Sequence, residues 1–213
     1  MCSPRFDYTT EKQELVIRMP SAIHDVFANR TSYELGKCLV RLEDKHTGSS
    51  IARIAKGIGL EGTREIHLPY MHRLYQKTKD KKEPDGSLRY VRCRKPGLVI
   101  EVAWSQRALP LAEYAADYIR LSKGEIRTVI GIDLNNIYRE YAEGQDVAAS
   151  AAPATFSIWR AGAEDSDGYP TVIIPDNERN QASLEILLFK CAISFSNSHD
   201  RSFELKMVLG IPQ

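Results

Sequence analysis

The chain has 213 residues, 43% of them hydrophobic and 27% charged, with a formal net charge of +1. Those are ordinary globular values, enough for one domain with a real core. No apolar run of roughly 18 residues or more occurs, so no membrane span is expected.

The four cysteines, Cys2, Cys38, Cys93 and Cys191, lie far apart, with no C-x-x-C and no Cys/His cluster. A structural zinc site is therefore not expected, and free thiols in a reducing compartment are the simplest reading. Met1 to Arg18 is mixed and polar and lacks the apolar block of a secretory signal. The expected location is intracellular, nuclear or cytoplasmic. Charge is unevenly spread: residues 41 to 95 hold fourteen Lys/Arg against seven Asp/Glu, leaving −6 for the rest. A lysine-rich solvated loop accounts for Lys77 to Lys82. An anionic partner such as nucleic acid is the functional alternative, and Lys81, Lys82 and Arg89 are then its candidate contacts.

Residues 1 to 18 read as a partly ordered lead-in. Pro20-Ser21 opens a helix that Ser21 can cap, with Asp25 suited to the positive end of the helix dipole. At helical spacing Phe27, Thr31, Glu34, Cys38 and Leu42 share one stripe, which puts Glu34 on or beside the core-facing side. Gly48-Ser49-Ser50 should follow the helix end. Residues 51 to 63 read as a short helix or irregular segment broken by Gly57, Gly59 and Gly62. Arg64 to Tyr70 alternates like a strand, and Met71 to Glu83 reads as a charged loop.

Ser87 to Cys93 alternates again, Lys95-Pro96-Gly97 is a turn signal, and Leu98 to Trp104 is a buried strand, so residues 87 to 104 predict a β-hairpin. Pro110 starts a helix along Leu111, Tyr114, Ala115, Tyr118 and Leu121, which Lys123-Gly124 ends. Ile126 to Leu134 is another buried strand. Glu143 to Pro153 is a loop, and 154–160 with 171–175 predict a second hairpin across the acidic loop 162–168. Residues 183 to 195 fit either a strand or a short helix. A three-strand meander followed by helix and strand predicts an α/β fold, a mixed sheet with flanking helices. One domain spans 1–213, with a core over about 20–160 and a β-rich C-terminal extension over 161–213.

The residue that stands out is Glu101, a carboxylate at the centre of L-V-I-E-V-A-W. A buried charge is costly unless a cation, a proton or hydrogen bonds neutralise it. Asp85, sixteen positions upstream and across the expected hairpin, suggests that the neutraliser is a metal ion. Two carboxylates on neighbouring strands are the minimum for holding Mg²⁺ beside a phosphate. The bland readings stand beside this: Glu101 paired with Arg89 or Arg92, Asp85 as an Asp-Gly turn residue, and Glu34 as a helix-surface acid.

The element order, with Pro84-Asp85 on the second strand of the meander and Glu101 on the third, resembles the PD-(D/E)XK restriction-endonuclease-like superfamily. The strings I-H-D-x-F, P-D-G-S, V-I-E-V-A-W-S-Q and V-I-G-I-D-L are similar to a little-characterised fungal group within it, over roughly residues 20 to 160. The resemblance implies a metal-dependent nuclease of DNA or RNA. Asp85 and Glu101 would be catalytic and hold Mg²⁺ or Mn²⁺, and Glu34 would match the accessory acid of the first helix. The lysine normally found two residues after the second acid is Ala103 here. Gln106 could reach the site as an amide, which orients water but cannot take up a proton, and Lys123 or a loop lysine could replace the missing cation. The alternative is a catalytically inactive nuclease-fold module binding nucleic acid, another protein or a second copy of itself. No G-x-x-x-x-G-K-[ST] or G-x-G-x-x-G occurs, so nucleotide-binding loops are not indicated. No serine or histidine has a nucleophile–base setting.

Overall fold

The structure is a computed structural model that describes residues 4–10, 13–71, 77–104, 111–144, 154–173, 189–191 and 207–209. It is a mixed α/β fold built around two sheets, consistent with the α/β class expected above.

The N-terminus departs first from expectation. Residues Arg5–Thr9 (β1) and Glu14–Arg18 (β2) form an antiparallel hairpin with Arg5 opposite Arg18 and Asp7 opposite Val16. β1 alternates charged and aromatic residues, and β2 runs Glu14-Leu15-Val16-Ile17-Arg18, but the hairpin faces the core in the inverse of the usual sense. Arg5, Asp7 and Arg18 are buried, while Phe6, Leu15, Ile17 and Met19 are exposed. A sequence reading of alternation assumes that apolar side chains turn inward. Here ion pairing in the interior decides the orientation.

Helix α1 (Ala22–Lys45) starts as expected: Ser21 Oγ accepts from the His24 backbone N–H at 3.2 Å, and Asp25 lies in the first turn. Its buried face runs through His24, Phe27, Ala28 and Glu34, with Leu35 and Leu39 partly buried beside it, and Leu42 is exposed. Ser49 caps α2 (Ser50–Lys56), which leads into β3 (Ile58–Leu60).

The main sheet has six strands in the order β10-β9-β8-β7-β6-β3. The hairpin β6 (Gly86–Tyr90) and β7 (Leu98–Ala103) is antiparallel, with Gly86 opposite Ile100 and Leu88 opposite Leu98. Helix α3 (Leu111–Leu121) then crosses over to β8 (Thr128–Asp133), which pairs parallel with β7 and sets Glu101 opposite Gly131. Gly124, at φ +73°, ends α3 as its Lys-Gly signal predicts, and its N–H reaches Ile119 O at 2.9 Å. After the short α4 (Asn135–Ala142), β9 (Thr155–Glu164) and β10 (Pro170–Ile173) form the second expected hairpin.

The first strand of the meander is β3, not residues 64–70. That segment, β4 (Ile66–Met71), pairs with β5 (Lys77–Lys82), placing a strand where a charged loop was expected. β4 and β5 join the N-terminal hairpin in a second sheet of order β2-β1-β5-β4. Alternation shows that a strand exists but not which partner it pairs with. The short strands β11 (Phe189–Cys191) and β12 (Met207–Leu209) pair with each other. The rest of the expected 183–195 element lies outside the described residues.

The main sheet separates two cores. Ile100, Val102 and Trp104 pack with Phe27 and Ala28 of α1 and Ile137 of α4 on one face. Val99 faces the other way, among Ile66 and Leu68 of β4, Ala115, Tyr118 and Ile119 of α3, and Trp159. Glu101 and Ala103 share this second face by the two-residue period of the strand.

Candidate active site

The structure brings Asp85 and Glu101 together, and it fills the space between them with arginines. Asp85 stands just before β6, and its backbone N–H bonds Ile100 O at 3.1 Å on β7. Both side chains are buried, Glu101 to 0% exposure. Arg18 Nη1 lies 3.0 Å from Glu101 Oε2 and 3.6 Å from Asp85 Oδ1. Arg5 Nη1 donates to the same Asp85 oxygen, and Arg5 Nη2 meets Asp25 Oδ1 at 2.9 Å. Asp85 Oδ2 accepts from the Val102 backbone N–H at 2.6 Å and lies 3.0 Å from His24 Nε2. Glu101 Oε1 accepts from Tyr118 OH at 2.7 Å.

Asp7 completes the ring of acids around Arg18. Its Oδ2 lies 3.0 Å from Arg18 Nε, and its Oδ1 accepts from Arg18 Nη2 at 3.3 Å and from the Glu83 backbone N–H at 3.0 Å. Tyr114 OH donates to Asp7 Oδ2 at 3.2 Å. Arg18 Nη2 also donates to the Glu83 carbonyl. The Arg18 guanidinium therefore has three carboxylates around it, in the position a cation would take between them.

The electrostatics follow from burial and from these partners. Burial pushes the Glu101 carboxyl above its ordinary range, and Arg18 opposes that push without cancelling it. Burial also works against the charge on Arg18, but Glu101 and Asp7 outweigh it and hold the guanidinium more firmly protonated. For Arg5 burial prevails and its pKa falls. His24 is lowered by burial and by the Arg5 charge, which favours its neutral ring. Burial, with Glu101 and Asp7 nearby, raises Tyr118 well above its usual value, so its hydroxyl stays a donor.

The fit to a metal ion can be judged from the donors present. Each oxygen of Asp85 and Glu101 already faces a donor, and two permanent cations occupy the place of the ion. The residues in this conformation do not fit Mg²⁺ or Mn²⁺. Among the described residues, no group of three or more His, Cys, Asp or Glu side chains is arranged to hold a metal. A cavity of about 20 Å³, lined by Arg5, Arg18, Ser21, His24, Asp85 and Trp104, adjoins the pair. That is room for a single water.

The other expected site residues lie elsewhere. Glu34 is buried, but it pairs with Arg30 at 2.9 Å and Lys37 at 2.8 Å on its own helix. Helix α1 covers the sheet face opposite Glu101, which keeps Glu34 from that residue. Lys82 is buried against Asp117 at 2.8 Å, with its ammonium 4.0 Å from the Tyr114 ring centroid. Lys81 is exposed beside Glu65 at 3.4 Å, and Arg89 pairs with Glu61 at 2.5 Å. Neither Arg89 nor Arg92 neutralises Glu101. Ala103 is buried on the same face as Glu101, and Lys123 is exposed beyond α3. Gln106 lies outside the described residues.

Sequence reasoning missed Arg5, Asp7, Arg18, His24 and Tyr118 as partners of the acids. The available signal was the alternation R-F-D-Y-T at the N-terminus, which marks a strand with Arg5 and Asp7 on one face, followed by the aliphatic run L-V-I before Arg18. Compared with family models, curated proteins and solved structures, the chain matches none. Among the described residues no helix is long and apolar enough to cross a membrane.

Proposed function

We propose that the chain is a non-hydrolysing module of the PD-(D/E)XK type that holds a nucleic-acid backbone. One observation carries the reading: the acid pair that would bind metal is already neutralised by Arg5 and Arg18. The order α1-β3-β6-β7-α3-β8, antiparallel through β7 and parallel at β7–β8, supports the nuclease-like scaffold. Ala103 in the lysine position supports the absence of hydrolysis, since nothing basic projects from that spot.

The phosphate-binding surface is the exposed part of residues 41 to 95. Arg41, Lys45, Arg53, Arg92 and Arg94 are exposed and form no ion pair among the described residues. A hydrogen bond from Val91 N–H to Gly57 O, 2.8 Å, draws the β6–β7 turn against the end of α2. Arg53 on α2 and Arg92 and Arg94 on the turn thus sit on adjoining elements. Uncompensated cations are what counterion release by a phosphate chain requires.

The test is fluorescence anisotropy with labelled single- and double-stranded DNA and RNA, alongside incubation with Mn²⁺. Expected are salt-sensitive binding weakened by Arg92→Glu with Arg94→Glu, and no cleavage. Metal-dependent cleavage that Asp85→Asn or Glu101→Gln abolishes would refute the reading, as would the absence of binding at low salt. The second reading, a metal-dependent phosphodiester hydrolase, is favoured by the convergence of both acids on one guanidinium nitrogen. The same cleavage assay decides between the two.

A further inference from the structure

We propose that the cleft between the β3–β4 loop and the β6–β7 turn binds a nucleotide by its terminal phosphate, a phosphomonoester on a partly apolar body. The choice of a nucleotide rests on the reading of the adjoining surface as one that holds nucleic acid. The cleft shares no lining residue with the small cavity beside Asp85.

Its size and its walls suit a ligand larger than an ion. The volume is about 400 Å³, within the range of about 300–1,000 Å³ usual for small-ligand sites. A free phosphate ion would leave most of it empty. Glu61 N–H donates to Ser87 O at 2.9 Å and Ser87 Oγ donates to Gly62 O at 3.2 Å, which ties the β3–β4 loop to β6. On the other side Gly97 N–H reaches Leu88 O at 3.0 Å, and Gly97 O accepts from Arg127 and Thr128 N–H at 3.0 and 3.1 Å. The turn that carries Arg94, Lys95 and Pro96 is thereby held from β6 and from the start of β8. A site already ordered in this way spends little on ordering when a ligand enters.

The lining is graded from apolar to cationic. Ile66, Ser87 and Pro96 are buried, while Arg64, Pro69 and Arg94 are exposed. Ile66 and Pro96 offer apolar surface to a ring, and Ser87 Oγ, whose proton goes to Gly62, keeps lone pairs that accept from a polar ring edge. Arg94 forms no ion pair among the described residues. Arg64 meets Glu61 through Nη1 at 3.2 Å while its side chain stays 66% exposed. Lys95 meets Glu125 at 2.8 Å, and an ammonium has three donors to give.

The acids of the cleft do not oppose an anion, because cations already answer them. Glu61 faces Arg89 at 2.5 Å as well as Arg64, and Glu65 lies 2.6 Å from His67 Nε2 and 3.4 Å from Lys81. An entering anion meets the surplus, Arg94 and the remaining donors of Arg64 and Lys95. A phosphomonoester carries nearly two negative charges near neutral pH and three strong acceptor oxygens. A phosphodiester within a strand carries one charge. Two guanidinium forks and an ammonium on one cleft match the former, since arginine pairs with phosphate through parallel N–H donors.

Two sources present this chemistry, a free mononucleotide and the phosphorylated end of a strand, and the experiment separates them. Occupancy of the cleft is read from the methyl NMR signal of Ile66 in the full chain. Adenosine monophosphate is the free probe, with adenosine and inorganic phosphate as controls. The strand probes are oligonucleotides phosphorylated at either end or left with hydroxyl ends. Expected is a shift of Ile66 in at least one arm, with an affinity about tenfold or more above that of the same molecule without its terminal phosphate, the worth of one charge-assisted contact. Arg64→Ala and Arg94→Ala, both at exposed positions, should each bring that ratio toward one. Arg92→Ala, outside the cleft, should weaken strand binding and keep the ratio. An Ile66 signal that moves in neither arm overturns the proposal, and so do phosphorylated and unphosphorylated probes that bind equally. The function reading fails separately. Strands that do not bind at low salt refute that reading, while adenosine monophosphate seated in the cleft still upholds the site; strands that bind without regard to a terminal phosphate uphold the reading and overturn the site.

Discussion

Arg18→Met is the substitution that most directly tests the ion-pair account of the site. It keeps most of the side-chain volume and removes the charge, so Glu101 and Asp7 lose their shared cation while buried. Arg18 and Glu101 are 5% and 1% exposed and 3.0 Å apart. At that distance an effective dielectric constant near 20 gives roughly 5 kcal/mol of attraction. Removing one partner of such a pair costs about 3–5 kcal/mol, because the other must then stay charged in the interior or change its protonation to become neutral. Glu101→Gln keeps the shape and removes the opposite charge. The double variant should then be less destabilised than the sum of the two singles by about 2 kcal/mol or more. Urea denaturation followed by circular dichroism measures all four corners of the cycle. Single changes that add to within about 0.5 kcal/mol would refute the reasoning, since additivity means that the two groups do not interact.

Tyr118→Phe removes only the hydroxyl that donates to Glu101 Oε1 at 2.7 Å; a loss of about 1–3 kcal/mol is expected by the same denaturation, with the fold unchanged. At Gly131 an added Cβ would come within 2.6 Å of Trp159 Cζ3 and 3.2 Å of Leu111 Cδ1. Gly131→Ala should therefore destabilise by about 1–3 kcal/mol, seen as a lower melting temperature. His24 has a lowered folded-state pKa, so the unfolded chain takes up its proton first as the pH falls below the ordinary 6.5. Its contribution to stability is complete above that value and declines as the pH drops toward the folded-state pKa. The decline should be shallower in His24→Gln when melting temperatures are compared between about pH 7 and about pH 5.

Much of the architecture could be read without coordinates, because it rests on local rules. Ser21 caps α1, Lys123-Gly124 ends α3, and Leu98 to Trp104 is a buried strand whatever surrounds it. The hairpin from β6 to β7 and the parallel crossover to β8 follow from a turn signal and a helix of the right length. The nearness of Asp85 to Glu101 is a consequence of that hairpin and was legible in the same way. Pairing between distant strands was not. β3 rather than β4 joins β6, because Ile66 and Leu68 find their burial against α3 and β7. Alternation marked only 64–70 as a strand, and packing alone shows that the three residues of β3 take the sheet edge beside β6.

The sequence alone determined that a buried carboxylate at Glu101 needs a neutralising partner, since no chain can leave such a charge bare inside an apolar strand. It did not determine which partner. Arg89 and Arg92 were nearest along the chain, a metal ion was chemically suitable, and Arg18 lies 83 residues away from Glu101 in sequence. The tertiary structure decided for Arg18, with Arg5 beside it on Asp85, both carried in by a hairpin that turns its charges toward the acids and Leu15 and Ile17 toward solvent. Coulomb attraction acts through space without regard to sequence separation. Its winner is settled only when the whole chain has folded.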